Sequence, residues 1–274
     1  MKNSKDYVSI VLGIFCVLVG IYILAPLVIV VINSFNAASY SVFPPAGFSL
    51  QWYQRLLETT QFVSGFKNSV IVATVAVAIG LLVGIPASYS LSRYSLPGRS
   101  LMHSMLVLPL AIPKIVLGLS LFIYFVQIGL YDSLIGLGLG HSLLVLPYIV
   151  VMATSAIKNI SRQQEEAAMD LGAKPMVAFA TVLLPQISTA MILAAALGFI
   201  VSFDQVEASL FLVRSDNYTL PLEMMNYMEK YQNPTIAALS TVLMLLVLSV
   251  LAILILSLRK KGNIGQILAS SQKR

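Results

Sequence analysis

Residues 161–186, "SRQQEEAAMDLGAKPMVAFATVLLPQ", separate two long apolar runs in a chain of 274 residues that is 58% hydrophobic and only 10% charged. A plain connection between two helices needs about six residues. This one is far longer, and its capping signals describe structure of its own. Ser161 followed by Gln164 is a capping-box pattern, and Glu165 and Glu166 put negative charge at the positive end of a helix. That helix is expected to run to about Leu171, where Gly172 supplies the left-handed backbone that ends a helix cheaply. Pro175 suits the first turn of a second helix, which Pro185 should close before the next apolar run. The expected unit over 161–186 is a helix, a glycine corner and a helix. Ala167, Ala168, Ala173, Ala178 and Ala180 leave little side chain in the way of a close partner.

The flanking sequence sets the class. An ordinary soluble domain carries about 25% charged residues, and here the apolar excess is gathered into runs. Six of them, near 8–33, 68–92, 102–127, 136–157, 188–213 and 236–258, reach the roughly 20 residues that cross a bilayer as helix. Segments of about ten residues alternating in polarity, the mark of a membrane barrel, are missing. The reading is an all-α polytopic membrane protein with six transmembrane helices, forming one domain over 1–274. The first run follows Lys2 and Lys5, is too long for a signal peptide and is not followed by a small-residue cleavage site, so a retained signal-anchor helix is expected.

Orientation follows from the basic residues. Twelve lie at the amino end, in the 2–3 and 4–5 connections and in the carboxyl tail, against four on the other side (Arg55, Lys67, Arg214, Lys230). Both termini and the 161–186 segment are therefore expected on the cytoplasmic side. Topology accounts for the net charge of +6 without invoking nucleic acid. A single cysteine, Cys16, excludes a disulfide framework and a thiolate metal site. His103 and His141 are far apart and read as interfacial or packed histidines. No catalytic or metal-binding set is evident.

Two outer connections hold short helices. "SLQWYQRLLE" has Ser49 as N-cap and an apolar stripe of Leu50, Tyr53, Leu56 and Leu57. "TLPLEMMNYMEKY" is closed by Asn233-Pro234. Among the intramembrane prolines, Pro109 and Pro113 at i, i+4 make the third span the one expected to bend. Charges inside the membrane cost at least about 2.5–3.5 kcal/mol each and usually face an interior path or a partner. Lys114 is expected near the middle of the third span and Asp204 near the middle of the fifth. Glu207 should share the Asp204 face at i, i+3. Two readings stay open: a structural Lys114–Asp204 ion pair, or a substrate path lined by Lys114, Asp204 and Glu207 with Ser202, Gln205 and Trp52.

The stretch "EAAMDLGAKPMVAFATVLLP" resembles the cytoplasmic EAA loop of permease subunits in bacterial ABC importers. Glu166, Ala167, Ala168, Gly172, Leu184 and Pro185 match its pattern, and Val182 stands in its isoleucine place. The stretches "FSLQWYQRLL", "NSVIVATVAVAIGLLVGIPASYSLSRY", "LPLAIPKIVLGLSL" and "GFIVSFDQVEASLFL" are similar to the PotC-like spermidine/putrescine permease branch. The resemblance implies a type I (MetI-like) importer permease of the bacterial cytoplasmic membrane. It further implies an ABC ATPase dimer, a second permease subunit and a periplasmic or lipid-anchored binding protein as partners. The ATPase would be met by Glu166, Ala167, Ala168, Asp170, Gly172, Val182, Leu184 and Pro185. The chain has no G-x-x-x-x-G-K-[ST] phosphate loop, so the expectation is a non-enzymatic subunit with no cofactor, ATP and Mg²⁺ belonging to the partner. Polyamine permeases tend to carry acids where this chain has Lys114 and Gln205. That departure favours a substrate with both amino and anionic groups, such as an amino acid, aminophosphonate or opine. The alternative from another class is an ion-coupled secondary transporter, whose intramembrane charges would bind the ion; no inverted repeat supports it.

Overall fold

In lipid, every backbone polar group must be satisfied within its own segment, so long apolar runs become helices. The computed structural model describes residues 2–260, and its elements are α1 (Lys2–Ser34), α2 (Gln51–Glu58), α3 (Thr60–Arg93), α4 (Arg99–Val107), α5 (Lys114–Ile128), α6 (Leu134–Lys158), α7 (Gln163–Asp170), α8 (Pro175–Ala178), α9 (Leu184–Phe203), α10 (Leu220–Lys230) and α11 (Thr235–Lys260). The side chains expected to orient the two ends (Lys2, Lys5, Arg259, Lys260, Lys261, Lys273 and Arg274) lie outside the described ones. Among the described residues four stretches, Ser9–Ser34, Thr60–Arg93, Leu134–Lys158 and Pro175–Phe203, are long and apolar enough to cross a membrane singly. The third expected span is two helices, α4 with a 3₁₀ turn (Leu108–Leu110) and α5, meeting at 101°. In α11 the described apolar part runs over Thr235–Ser249.

The bend has the cause expected of it. Pro109 and Pro113 withhold amide donors from successive turns, and Pro113 becomes the N-cap of α5 with extended backbone. One consequence was not expected. Lys114 is the first residue of α5, exposed at the corner, not buried at a span's centre.

The chain divides into two compact units, one of Met1–Thr60 with Tyr227–Arg274 and one of Gln61–Asn226. In the first, α11 packs on α1 and α2. The loop before α2 is organised by buried Asn36, whose Oδ1 accepts from the amides of Ala38 (3.0 Å) and Ala46 (3.3 Å) while its Nδ2 donates to the Val42 carbonyl (3.1 Å). Trp52 is buried and donates its indole N–H to the Asn36 carbonyl at 2.7 Å. Trp52, expected among the path residues, is therefore a pin for this loop. The expected stripe is corrected: Leu50 and Leu57 are exposed, and Trp52 is the residue α2 buries.

In the second unit α6 is the axis. Leu137, His141, Val145, Ile149, Ala153 and Ile157, each four residues apart, are wholly buried. Small residues let the neighbours approach, as membrane helices require. A Cβ on Gly198 of α9 would sit 2.6 Å from Val145, and one on Gly80 of α3 would sit 2.7 Å from Ile149. The fifth span ends at Phe203, short of the expected 213, and a turn and a 3₁₀ helix (Ser209–Phe211) follow. Asp204 and Glu207 thus share no helix face.

That turn rests against α5 through backbone. A Cβ on Gly118 would lie 2.6 Å from Cα and 2.8 Å from the carbonyl oxygen of Ala208. Gly118→Ala should destabilise the detergent-solubilised protein by about 1–3 kcal/mol, because backbone cannot yield as a side chain can. Gly13→Ala, where nothing lies within 4 Å, is the control and should be neutral or slightly stabilising. Equal thermal unfolding midpoints for the two variants would refute the close approach.

Candidate functional site

The 161–186 segment forms the expected helix, corner and helix. Gly172 has φ +94°, a conformation that only a residue without Cβ adopts readily. Its N–H donates to the Met169 carbonyl at 2.9 Å, and the Ala173 N–H donates to Ala168 at 3.1 Å. This is the Schellman pairing that satisfies the last carbonyls of α7.

Three details differ from expectation. The Ser161 hydroxyl accepts from the Gln163 amide (3.3 Å), while Gln164, the supposed return arm of the capping box, accepts from Gln186 Nε2 at 2.8 Å. Pro185 does not end the second helix: α8 continues into α9 through a π turn at Phe179–Leu183. Proline leaves the carbonyl four residues back without its donor and crowds it. The wider turn relieves this, with the Leu184 amide reaching back to Phe179. Finally, Glu165 is more than a favourable charge at a helix end. It is 2% exposed, and its Oε1 accepts from Arg93 Nε at 2.7 Å. Arg93 also donates to the Ile160 carbonyl (3.0 Å), and Arg162 donates to the Arg93 carbonyl (2.9 Å). The end of α3 thus clamps the start of α7.

What the clamp leaves outward is the candidate site. Among the described residues Glu166 pairs only with exposed Arg162, at 2.9 Å. Ala167, Asp170, Gly172 and Pro185 are exposed, whereas Ala168, Val182 and Leu184 are partly buried. Between them stand two apolar residues the sequence reading passed over, Leu171 at 91% and Met176 at 75% exposure. An apolar tip on a polar hairpin is the arrangement of a docking surface. The missed signals were available: Leu171 precedes the corner glycine, and Met176 follows the proline that opens the second helix.

At the other end of α9 lies a polar group. His141 is wholly buried, with Nδ1 2.8 Å from Ser202 Oγ and Nε2 2.8 Å from Ser209 Oγ. Ser209 spends its one proton on the Gln205 carbonyl at 2.9 Å. It must therefore accept from Nε2–H, leaving Nδ1 to accept from Ser202. This is the packed histidine expected, and it occupies Ser202 structurally. Gln205 is 1% exposed, donates from Nε2 to Glu207 at 2.8 Å, and has no partner for its Oε1. Asp204 and Glu207 are exposed. Lys114 makes no ion pair with Asp204, so the structural-pair reading is set aside. With α5 starting at a corner and α9 ending at Phe203, neither group lies in mid-helix needing a partner. Lys114 does begin the turn that leads to Gly118, which packs on Ala208, so α5 and the 204–208 turn adjoin. Among the described residues no cluster of His, Cys, Asp and Glu could hold a metal ion.

Residues 76–261 match the family described as binding-protein-dependent transport system inner membrane component. The spermidine/putrescine transport system permease protein PotC of Escherichia coli (strain K12) is 28% identical over 257 residues, 93% of this chain and 97% of that protein. The putrescine transport system permease protein PotI of the same organism is 30% identical over 230 residues, 81% of this chain and 82% of its own length. Among solved structures, a chain of a bacterial ABC transporter involved in the import of the acidic polysaccharide alginate superposes with a TM-score of 0.68 at 18% identity, covering 95% of this chain and 98% of that one.

Two substitutions test the hairpin. Glu165→Gln leaves the largely buried Arg93 side chain without its carboxylate, which costs up to about 3–5 kcal/mol, whereas Glu166→Gln breaks an exposed pair worth at most about 0.5 kcal/mol. Amide exchange over 163–173 should accelerate strongly in the first variant and little in the second; equal rates would show that the clamp does not hold the hairpin. Gly172→Val should melt the corner while leaving the membrane helices inserted, since a β-branched residue is strained at positive φ. Unchanged exchange at Ala173 in that variant would remove the corner from the argument.

Proposed function

The chain belongs to the family of binding-protein-dependent transport system inner membrane components, and from that membership we propose that its 161–186 hairpin seats on a partner ATPase whose hydrolysis drives import of a small amino compound. An ABC importer permease carries no ATPase site of its own, so the energy must enter through a contact. The observation carrying this reading is the anchored hairpin that presents Leu171 and Met176 to solvent. Leu171 and Met176 join Glu166, Ala167, Ala168, Asp170, Gly172, Val182, Leu184 and Pro185 as proposed coupling residues. The continuous helix from Pro175 to Phe203 links that tip to the Asp204 turn, so a push at one end is felt at the other. The remaining assignments are a second permease subunit and a substrate-binding protein as partners, six spans, and both termini with the hairpin on the cytoplasmic side. Family membership does not favour an ion-coupled secondary transporter.

For the substrate, Asp204 and Glu207 offer two exposed carboxylates, and exposed Lys114 opens the helix whose Gly118 packs on Ala208 of their turn. The names of the relatives, spermidine and putrescine permeases, support an amine. Carboxylates suit an amine, and a lysine at the start of the neighbouring helix suits one that also bears an acidic group. Reconstitution with the ATPase, second permease and loaded receptor should give ATP-dependent uptake. Asp204→Asn with Glu207→Gln should lower it about tenfold or more at unchanged receptor binding, the loss expected for one or two charge-assisted hydrogen bonds. Comparing a plain diamine with an amino acid or aminophosphonate, Lys114→Gln should penalise only the compound with the anionic group. Uptake driven by an ion gradient without ATP would overturn the class. Equal effects of Lys114→Gln on both compounds would overturn the lysine's role.

A further inference from the structure

At the hairpin end of the second unit, α3, α4 and α6 enclose a cleft of about 250 Å³ that the transport reading does not use. It is lined by Arg99, Ser100, His103 and Ser104 of α4 and by Thr154 and Lys158 of α6. No carboxylate lines it, and neither Arg99 nor Lys158 has an ion-pair partner among the described residues. Arg99 is the first residue of α4 and Lys158 the last of α6, both exposed, and no side chain caps the α4 N-terminus behind Gly98. The Thr154 side chain adds an independent observation. Thr154 is 6% exposed, and its hydroxyl has no hydrogen-bond partner. A helical threonine normally returns its proton to the carbonyl four residues back. Here that carbonyl, of Val150, already accepts from Ser88 Oγ at 3.2 Å as well as from its helical amide. A buried donor with its acceptor taken is costly unless a ligand meets it.

We propose that this cleft binds a phosphate-type anion, held by Arg99 and Lys158, with donors from Thr154, Ser100, Ser104 and His103. Cations at a helix entry and exit, lined by hydroxyls and without competing acid, are complementary to a phosphodiester or phosphate monoanion. Exposed Leu101, Met102 and Met105 on the same helix would lie beside the acyl chains of a lipid whose headgroup entered the cleft. The same donors would serve free phosphate.

The test uses the full chain in detergent, exchanged against phosphatidylglycerol, phosphatidylcholine or inorganic phosphate separately, with retention read by native mass spectrometry and protection by amide exchange at 99–104. Expected is retention of phosphatidylglycerol above phosphatidylcholine, falling about tenfold or more in Arg99→Gln/Lys158→Gln. Thr154→Val should weaken it and Thr154→Ser should preserve it; these near-isosteric variants decide the matter if the double variant misfolds. Protection of 99–104 by inorganic phosphate with no lipid preference would keep the anion site and assign it to the free ion. Equal retention of both lipids with no protection by phosphate, or retention unchanged in Thr154→Val and the double variant, would overturn it.

Discussion

The buried pair of Arg93 and Glu165 is the constraint on which the functional half of the molecule depends. An ion pair removed from water contributes little net stability, because desolvation offsets most of the attraction. Its value is specificity. A guanidinium that also donates to the Ile160 carbonyl has one acceptable geometry, and that geometry fixes where α7 leaves the bundle. Arg162 reinforces the arrangement by donating to the carbonyl of Arg93 itself. With the base of the hairpin so determined, its tip can expose apolar side chains without collapsing onto the bundle.

The hairpin was legible in sequence where chemistry is local. A corner glycine, a helix-opening proline and a serine before a run of acids are constraints on neighbouring residues, and each appears near its expected place. The roles of Glu165 and Pro185 were not legible, because both depend on context beyond the segment. Glu165 meets an arginine 72 positions earlier in the chain. Pro185 is absorbed by a π turn that keeps one helix running from hairpin to bundle, an option no capping rule contains.

The intramembrane charges show the limit from the other side. Reading Lys114 and Asp204 as mid-helix residues assumed straight spans, and on that assumption both needed partners. The 101° corner and the early end of α9 remove the premise. Both residues sit exposed at helix ends, while buried His141, Ser202, Gln205 and Ser209 take up the interior polar work. Hydropathy locates apolar runs well, but it says little of which turn of a run is unwound. The expected bend at Pro109 and Pro113 was the clue, and its effect on Lys114 follows only once the corner is placed at Pro113.

The 72-residue separation of Arg93 from Glu165 also sets an order of events during synthesis. At roughly 5–20 residues per second, the arginine waits on the order of ten seconds for its carboxylate. In that interval α4, α5 and α6 must be made and threaded, since all three lie between the two residues. Until then α3 ends in a cation that only water or lipid headgroups can satisfy. Closure of the pair therefore marks the moment when α3 through α6 are all in place, and a nascent chain that mislays any of them keeps a free guanidinium at its surface for quality control to find.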